Sequence, residues 1–470
     1  MRALTTVHRW LGVSFALFFA MWFASGIVMH FVPFPALTED ERFAALAPLQ
    51  GVAILNAPDA ALRASGLADA DRVRLIVRSD GAVYIVRAGT RVTAVRVDDL
   101  QWASVRSGGL AVEIAADHAR RRGLQASEAA FVELASHDQW TVPNNLDPHR
   151  PLYRVALHDR AGTELYVSSQ TGEVVRDTTR RERAWNYAGS VVHWIYPTAL
   201  RRNWALWDST VWTLALGALA AALTGLALGT MRMRWRSFAS PYRGVHAWHH
   251  SLGLACAVFV VTWIASGWLS MDHGRLFSTG SVSQSEAHVL TNELLAPSLS
   301  TPSALDAIES AAREIEWFTF GTRAYRRARV EVDRQHVRAF PRSPFRDQPY
   351  LGADDATAFA RRLGGCEAAA AVAGDDAYRV VSAMPGAPVY RIVCGDTWLH
   401  VDGANGALLE KLDSSRRAYR WLYSALHTLD FPALVERPAL RTSLIVALCS
   451  FGFVFSVTAV LIGWRRLWKP

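Results

Sequence analysis

The sequence predicts an α-helical membrane protein with four transmembrane helices in two pseudo-symmetric halves, each half carrying an α+β domain outside the membrane. Two observations predict this fold class: four long stretches lack Lys, Arg, Asp and Glu, and the second half of the chain repeats features of the first. The uncharged stretches are 10–37, 209–231, 244–271 and 442–464. Each exceeds the roughly 20 apolar residues that cross a bilayer, and the first is too long for the apolar core of a signal peptide.

The basic residues predict the orientation. Three short segments, at the start of the chain, between the second and third spans and after the fourth, contain basic and no acidic residues: Arg2, Arg9, Arg232, Arg234, Arg236, Arg243, Arg465, Arg466 and Lys469. The positive-inside rule places all three segments, and hence both termini, in the cytoplasm. The rest of the chain is about neutral, so its charge gives no reason to expect a nucleic-acid partner.

This topology gives a set of expected boundaries. We predict transmembrane helices at 7–37, 206–231, 244–272 and 439–464, a cytoplasmic loop at 232–243, outer domains at 38–183 and 273–415, and His-containing interfacial segments at 184–205 and 416–438. Cys366 and Cys394 both lie in the second outer domain. A disulfide and two free thiols are both compatible with that placement.

Internal repetition supports the two halves. The run 8–12 corresponds to 249–253, and Ala-Ser-Gly at 24–26 corresponds to the same tripeptide at 265–267. Alternating apolar residues flank Thr171-Gly172 in one outer domain and Asn405-Gly406 in the other, which predicts matching β-hairpins. Halves of the same orientation are normally related by an axis along the membrane normal.

The repeat also pairs four histidines. His8 and His249 occupy equivalent positions at the cytoplasmic ends of the first and third spans, and His193 and His427 occupy equivalent positions on the outer side. A single histidine near a span is usually a hydrogen-bonded interior residue. Two symmetry-matched pairs instead favour axial ligands, because haem iron is commonly held by one imidazole on each side of the ring.

Other residues near the spans remain alternatives. His246 and His250 lie one turn apart on the third span, and His246 is the main rival of His249. His30 and His273 are interpreted as outer-interface residues that could line a haem edge. Trp22 and Trp263 are matched by the repeat about midway through their spans, where they could relay electrons between two haems or simply pack on a helix face.

Several motifs are absent from the sequence. It has no Cys-x-x-Cys-His, no His-Glu-x-x-His and no Walker or dinucleotide-binding glycine motif. The predicted cytoplasmic segments are too short for a flavin or nicotinamide domain. Any electrons that enter from inside must therefore come from a membrane quinol or a separate cytoplasmic reductase.

Nine short runs carry a family resemblance: 7–12, 138–141, 149–157, 193–196, 205–207, 240–244, 248–250, 266–272 and 426–432. They resemble the corresponding runs of the PepSY-associated transmembrane proteins and, among them, the FoxB-type siderophore reductases. The resemblance implies a bacterial inner-membrane protein with PepSY-like periplasmic domains and two b-type haems, held by His8 with His249 and by His193 with His427. Relatives often have Pro where this chain has His273, which argues against that histidine as a ligand.

The predicted function is electron transfer across the membrane to a ferric siderophore in the periplasm, with release of Fe(II). One alternative is a haem electron conduit to another acceptor, such as cupric ion or a periplasmic redox protein. The other is a haem-free membrane protein whose outer domains bind and regulate a partner.

Overall fold

The computed structural model of the chain describes residues 1–278, 282, 295–300, 311–340 and 347–468. These residues belong to two compact units. The first, here called the membrane unit, comprises Met1–Phe34, Arg181–Thr279 and Ser415–Pro470; the second, here called the sheet unit, comprises Pro35–Arg180 and Gly280–Ser414.

Four helices in the membrane unit are long and apolar enough to cross a membrane, which confirms the predicted helical membrane protein. They are α1 (Arg2–Phe31), α2 (Trp204–Arg232), α3 (Val245–Ser270) and α4 (Pro438–Trp468). α1 and α3 each pack against both α2 and α4. The buried core between them is apolar and includes Phe19, Phe23, Cys256, Trp263 and Cys449.

Local sequence explains where these helices start and stop. α1 ends at Phe31, six residues before the predicted boundary, because Pro33 and Pro35 follow and proline disfavours helix at and before its own position. α2 starts two residues earlier than predicted because the side chain of Asn203 accepts a hydrogen bond from the backbone N–H of Leu206. α3 starts after Gly244, whose φ of 60° suits glycine.

Short helical segments precede α2 and α4. Before α2 they are Arg180–Asn186, the π-helical turn Tyr187–Val191 and Thr198–Arg201. Before α4 they are Ser414–Tyr419, the π-helical turn Arg420–Ala425, Leu426–Thr428 and Pro432–Val435. A 3-10 turn, His273–Arg275, follows α3.

The strands described in the sheet unit are β1 (Arg72–Arg78), β2 (Gly81–Ala88), β3 (Arg91–Arg96), β4 (Ala130–Ala135), β5 (Leu152–Ala156), β6 (Glu164–Ser168), β7 (Val174–Thr178), β8 (Glu314–Phe320), β9 (Arg323–Arg329), β10 (Gln335–Phe340), β11 (Glu367–Ala371), β12 (Val389–Cys394), β13 (Thr397–Asp402) and β14 (Leu408–Leu412). These described strands form three antiparallel sheets with orders β10-β9-β8-β1-β2-β3, β4-β5-β6-β7 and β11-β12-β13-β14. Helices in this unit are Glu39–Ala44, Pro58–Ser65, Gly108–Arg121, Leu295–Leu299 and Ala353–Leu363, with a 3-10 turn at Asn144–His149.

Both predicted hairpins are present. β6 pairs with β7 across the Thr-Gly turn, and β13 pairs with β14 across the Asn-Gly turn. The turn glycines, Gly172 and Gly406, have φ of 69° and 68°, a conformation in which other residues are strained. Cys366 and Cys394 form a disulfide, which settles the alternative that the sequence left open.

One difference from the prediction concerns the outer domains. The boundaries 38–183 and 273–415 treat the two loops as separate domains, whereas strands from both loops form one six-stranded sheet within one compact unit. β1 pairs with β8, so that an edge of each loop's sheet is covered by the other. Both loops therefore contribute to one folded unit.

Buried ion pairs line this seam. Arg72 bonds Glu316 and Arg74 bonds Glu314, both at 2.8 Å. Burial alone would raise the pKa of Glu314, but the guanidinium groups of Arg42 and Arg74 outweigh it and hold that pKa well below its ordinary value. Because removing one partner would leave a buried charge uncompensated, these pairs favour a single register between β1 and β8.

Candidate functional site

Two histidine side chains face each other in the membrane unit. The ring centres of His193 and His427 are 6.3 Å apart, and the ring planes are inclined by 69°. Each histidine closely follows a π-helical turn, Tyr187–Val191 in the first half of the chain and Arg420–Ala425 in the second. Such turns are rare and occur frequently at functional sites. The structure thus brings together the pair that the sequence repeat matched.

A serine hydroxyl fixes the ring of His193. Ser25 Oγ lies 3.0 Å from Nδ1 of His193 and donates its own hydrogen to the backbone oxygen of Met21 at 2.6 Å. Because that hydroxyl hydrogen is already used, Nδ1–H of His193 is the donor and Ser25 is the acceptor. The lone pair of the neutral ring is then on Nε2.

His427 has the same arrangement in the second half. Ser266 Oγ lies 3.1 Å from Nδ1 of His427 and donates to the backbone oxygen of Trp263 at 3.0 Å. Nδ1 also lies 3.2 Å from that carbonyl oxygen, which can only accept. In both rings Nδ1 therefore carries the hydrogen, and Nε2 is left in the form that binds a metal.

The second matched pair makes equivalent contacts through threonines. Nδ1 of His8 lies 3.2 Å from the backbone oxygen of Ala221 and 3.3 Å from Oγ1 of Thr224. Nδ1 of His249 lies 3.0 Å from Oγ1 of Thr458, and that hydroxyl donates to a backbone oxygen of its own helix. All four matched histidines therefore present Nε2 as the basic nitrogen, and none of the described residues hydrogen-bonds to Nε2 of these rings.

Each pair lines a cavity within the membrane unit. His8 and His249 line one of about 600 Å³, and His193 and His427 line one of about 650 Å³. Both volumes fall within the range of small-molecule and cofactor sites. The walls are mostly apolar with a few arginines, and no aspartate or glutamate occurs among the described residues that line either cavity.

The competing histidines on α3 differ from His249. Nε2 of His250 donates to the backbone oxygen of Gly229 at 3.0 Å, and its ring packs 5.4 Å from that of Tyr242. Nε2 of His250 thus carries the hydrogen, whereas its Nδ1 has no hydrogen-bond partner among the described residues, and the residue lines the His8–His249 cavity. His246 lines the same cavity as His8 and His249, so it stays the alternative to His249.

The remaining two candidate histidines, His30 and His273, each contact an oxygen atom through a ring nitrogen. Nε2 of His30 is 2.9 Å from Oγ1 of Thr442, although the residue lines the His193–His427 cavity. Nδ1 of His273 is 2.5 Å from a carboxylate oxygen of Asp208, and its side chain is 39% exposed. These contacts are those expected of residues at a helix end rather than of axial ligands.

Both tryptophans line the His193–His427 cavity. Trp22 donates its indole N–H to the backbone oxygen of His193 at 2.9 Å. Its ring centre is 6.5 Å from that of Phe19, which lines the His8–His249 cavity. Trp263 is buried, with its ring 6.1 Å from that of Phe23. On α1, therefore, two contacting rings reach from one cavity wall to the other.

The rings of His193 and His427, with centres 6.3 Å apart, are close enough for one bound group to contact both. No group of three or more His, Cys, Asp or Glu side chains able to hold a metal is found among the described residues.

A family model described as PepSY-associated TM region matches residues 5–466. The chain belongs to the PepSY-associated transmembrane family. A search of the curated proteins finds no match to it. The match covers nearly the whole chain, so both cavities of this PepSY-associated protein lie inside the region that the family shares.

Sequence reasoning missed three features of the site. The serine and threonine partners were not recognised, although Ser25 and Ser266 sit inside the repeated Ala-Ser-Gly tripeptide. The π-helical turns have no clear sequence signal. Arg201, which lines the His193–His427 cavity, was also missed because nothing in its neighbourhood distinguishes it from the adjacent Arg202.

Proposed function

We propose that this PepSY-associated protein is a bacterial inner-membrane oxidoreductase that holds two b-type haems and reduces ferric siderophores in the periplasm. The observation that carries the proposal is the matched pair of cavities, each with two histidines whose Nε2 atoms are free to bind iron. The matched serine and threonine contacts also support two pseudo-symmetric halves.

The cavity walls suit haem b in a second respect. The group is a flat, apolar ring that carries two carboxylates. Both cavities combine apolar side chains with arginines, such as Arg9 and Arg232 in one and Arg201 and Arg441 in the other. An acidic lining would repel the carboxylates, and no acidic residue is among the described residues of either wall.

Each residue has a defined role under this proposal. His193 and His427 would hold one iron, and His8 and His249 the other. Haem bound in this way supplies one-electron redox chemistry. The serine and threonine hydroxyl groups that contact Nδ1 keep each ring in one orientation and one tautomer, as the hydrogen-bond partners of metal-bound histidines do.

The reaction adds one electron to the substrate iron, which passes from Fe(III) to Fe(II). Fe(II) binds the hard oxygen donors of siderophores much more weakly, so reduction releases the metal. The chain needs no general acid or base for this step. The arginines around the His8–His249 cavity support a cytoplasmic position for that end of the bundle and for both termini, where a quinol or a separate reductase would be the donor.

The proposal is tested by measuring the haem content of the full-length protein in detergent. The wild type is expected to contain about two b-type haems, low-spin in both oxidation states, by pyridine haemochrome assay and visible spectra. His427→Ala and His249→Ala should each lose one haem. His30→Ala is the matched control and should keep both. If His246→Ala loses a haem and His249→Ala does not, the alternative ligand is the correct one.

The substrate is tested separately. Protein reduced with dithionite and freed of excess reductant is mixed with a ferric hydroxamate chelate, while Fe(II) is captured by ferrozine. Reoxidation with an equivalent yield of Fe(II) is expected, and His427→Ala should abolish it. Faster reoxidation by cupric ion than by any ferric chelate would favour the conduit alternative. Absence of haem from protein made with ample haem supply would leave the binding and regulatory alternative.

A further inference from the structure

The sheet unit contains a charged cavity of its own. The cavity has a volume of about 530 Å³, which is within the range of small-molecule sites. Both loops contribute to its wall, whose described residues include seven arginines, four glutamates and one aspartate. Small-molecule sites are usually lined by apolar side chains, so a wall with this many arginines indicates a charged ligand.

One face of the six-stranded sheet supplies part of this wall. In the register of β8 and β9, Glu314 is opposite Arg329 and Glu316 is opposite Arg327. All four residues line the cavity. Ile315, between the two glutamates, belongs to the apolar core on the other face, as the alternation of side chains along a strand requires. The sheet therefore fixes a row of charges at the cavity.

Two arginines of this row have hydrogen-bond donors without a partner. Glu316 lies 2.8 Å from Arg72 and 2.7 Å from Arg327, so one carboxylate serves two guanidinium groups. Arg327 is 7% exposed, and its Nε has no hydrogen-bond partner among the described residues. Nε of Arg329, which is 2% exposed, also has none among them. Buried donors normally have partners, so both arginines favour an additional acceptor in the cavity.

The charge of Arg327 is also less well compensated than the charges of its neighbours. At Arg42 and Arg74 the nearby carboxylates outweigh burial and raise the pKa of both groups. At Arg327 burial outweighs the carboxylates and lowers the pKa, although Glu316 and Glu314 oppose that shift. A further anion beside this guanidinium would supply the missing compensation.

A histidine from the first loop supplies another donor to the wall. Oγ of Ser168 accepts the backbone N–H groups of Gln170 and Thr171, at 3.2 and 3.1 Å, which uses both of its lone pairs. Its own hydrogen is directed at His149, whose Nδ1 is 3.2 Å away and whose backbone oxygen is 3.3 Å away. Burial lowers the pKa of His149, so its ring is neutral at pH 7. Nδ1 is then an acceptor and Nε2 carries the hydrogen. His149 lines the cavity, and no described residue hydrogen-bonds to its Nε2.

We propose that this cavity binds a small organic anion through Arg327, Arg329 and His149. The ligand is a molecule with carboxylate or phosphate groups, because their oxygens accept hydrogen bonds from guanidinium groups and from Nε2–H. The inference goes beyond the proposed function and does not depend on haem, since every residue that carries it belongs to the sheet unit. His149 is in the first loop and the two arginines are in the second, so the bound anion also stabilises the association of the two loops.

The test measures anion binding by calorimetry. Full-length protein in detergent, in a buffer free of phosphate and carboxylates, is titrated with citrate, with inorganic phosphate and with triethyl citrate, which carries no charge. The same titrations are run on Arg327→Gln, His149→Phe and Arg334→Gln. Arg334 is the matched control, because it forms an exposed ion pair with Glu331 and neither residue is among those described in the cavity wall. Hydrogen exchange of peptides from β8 and β9, with and without citrate, locates the bound anion.

The wild type should bind citrate, with slower exchange in β8 and β9, and should not bind triethyl citrate. Arg327→Gln should weaken citrate binding by about tenfold or more, because a charge-assisted hydrogen bond is lost. His149→Phe should weaken it by a smaller factor, since a neutral donor is lost, and Arg334→Gln should bind as the wild type does. Tighter binding of phosphate than of citrate would support the site and identify phosphate as the group that it recognises.

Three results would overturn the inference: no binding of citrate or phosphate, equal binding of citrate and triethyl citrate, or wild-type affinity in both Arg327→Gln and His149→Phe. If Arg327→Gln elutes as an aggregate in size-exclusion chromatography, the affinity of His149→Phe decides the question. None of these readouts uses haem, so a failure of the proposed function is distinguishable from a failure of this inference.

Discussion

Gly225 on α2 allows a direct test of His8 as an iron ligand. A Cβ atom at this position would lie 2.7 Å from Cε1 of the His8 ring. Ordinary van der Waals contact begins at about 3.4 Å, so Gly225→Ala must push the ring aside by roughly 0.7 Å. Nδ1 of His8 hydrogen-bonds to Ala221 and Thr224, which lie on the same helix as Gly225. The ring therefore has little freedom to move without losing that hydrogen bond.

The expected cost follows from this overlap. Adding a methyl group to a well-packed site costs about 1–3 kcal/mol, or roughly a 5- to 150-fold loss in a binding constant. Alanine is also a better helix former than glycine by about 1 kcal/mol. The helix itself is therefore not weakened, and a loss of haem must come from the displaced ring.

The assay compares a graded series of glycines. At Gly267 an added Cβ would lie 3.2 Å from the His427 ring, and at Gly26 it would lie 3.7 Å from the His193 ring. Haem content and the high-spin ferric signal in EPR are measured for the three alanine variants. Gly225→Ala should lose haem or become partly high-spin, Gly267→Ala should change slightly, and Gly26→Ala should match the wild type.

The reasoning is refuted if Gly225→Ala keeps two low-spin haems with wild-type affinity. It is refuted equally if Gly26→Ala loses as much haem as Gly225→Ala, because ordinary contact at that site predicts no displacement. A fold defect is recognised separately by the elution volume of the detergent complex in size-exclusion chromatography.

Three further predictions follow from hydrogen bonds and burial. Ser25→Ala should raise the midpoint potential of one haem by a few tens of mV, because the ligand ring loses basicity; Ser266→Ala should raise it less, since its histidine keeps a carbonyl acceptor. Trp22→Phe should weaken binding of the haem in the His193–His427 cavity by about 1 kcal/mol, because the hydrogen bond from the indole N–H to the backbone oxygen of His193 is lost. Trp263→Phe should have less effect. Burial, aided by a neighbouring arginine, lowers the pKa of His118 to about 4, so the unfolded chain binds the proton first. Stability of the sheet unit should then fall by up to about 3 kcal/mol as the pH drops from 6.5 through 4, and His118→Gln should remove that part of the fall.

Each of these has its own measurement and contrary outcome. Redox titrations monitored in the visible band give the two potentials, and equal shifts for both serine variants would contradict the carbonyl argument. Titration with haem, followed by the Soret band, gives the haem affinity of Trp22→Phe. A larger loss of affinity in Trp263→Phe would contradict the prediction that Trp22 matters more. Hydrogen exchange of peptides from β5 and β6 reports the stability of the sheet unit, and an unchanged pH profile in His118→Gln would exclude that histidine as the cause.

The membrane helices were predictable because their signal is local. Any run of more than twenty residues without charge must cross the bilayer or be buried, and each of the four runs overlaps one of α1 to α4, although the first continues past the end of α1. The hairpins were predictable for the same reason, since each turn glycine lies between short alternating strands. The histidine pairs could be matched because the repeat records equivalent positions without requiring a structure.

The shared sheet could not be predicted in this way. Arg72 and Arg74 alternate with apolar residues in β1, and Glu314 and Glu316 do the same in β8. Such charges normally indicate a solvated face. Here the two glutamates are buried and the two arginines are partly buried, because each charge meets its opposite on a strand from the other loop, 240 or more residues away.

The hydrogen-bond partners of the matched histidines could not be predicted either, because they are distant in the sequence. Thr224 lies 216 residues from His8, and Thr458 lies 209 residues from His249. The choice between His246 and His249 depends on the rotation of α3 about its axis, which the packing of four helices determines and a repeat alignment does not.

The pairing of β1 with β8 also constrains biosynthesis. Once the first loop has been synthesised, β1 exposes an unpaired edge, because its partner β8 in the second loop has not been translated. A long wait with an open strand edge invites wrong pairing, and non-local contacts form slowly in any case. The arginines on β1 oppose mispairing of that edge with another copy of itself, since two such strands would bring like charges together. The residues that join the loops in the finished protein thus also protect the first loop until the second arrives.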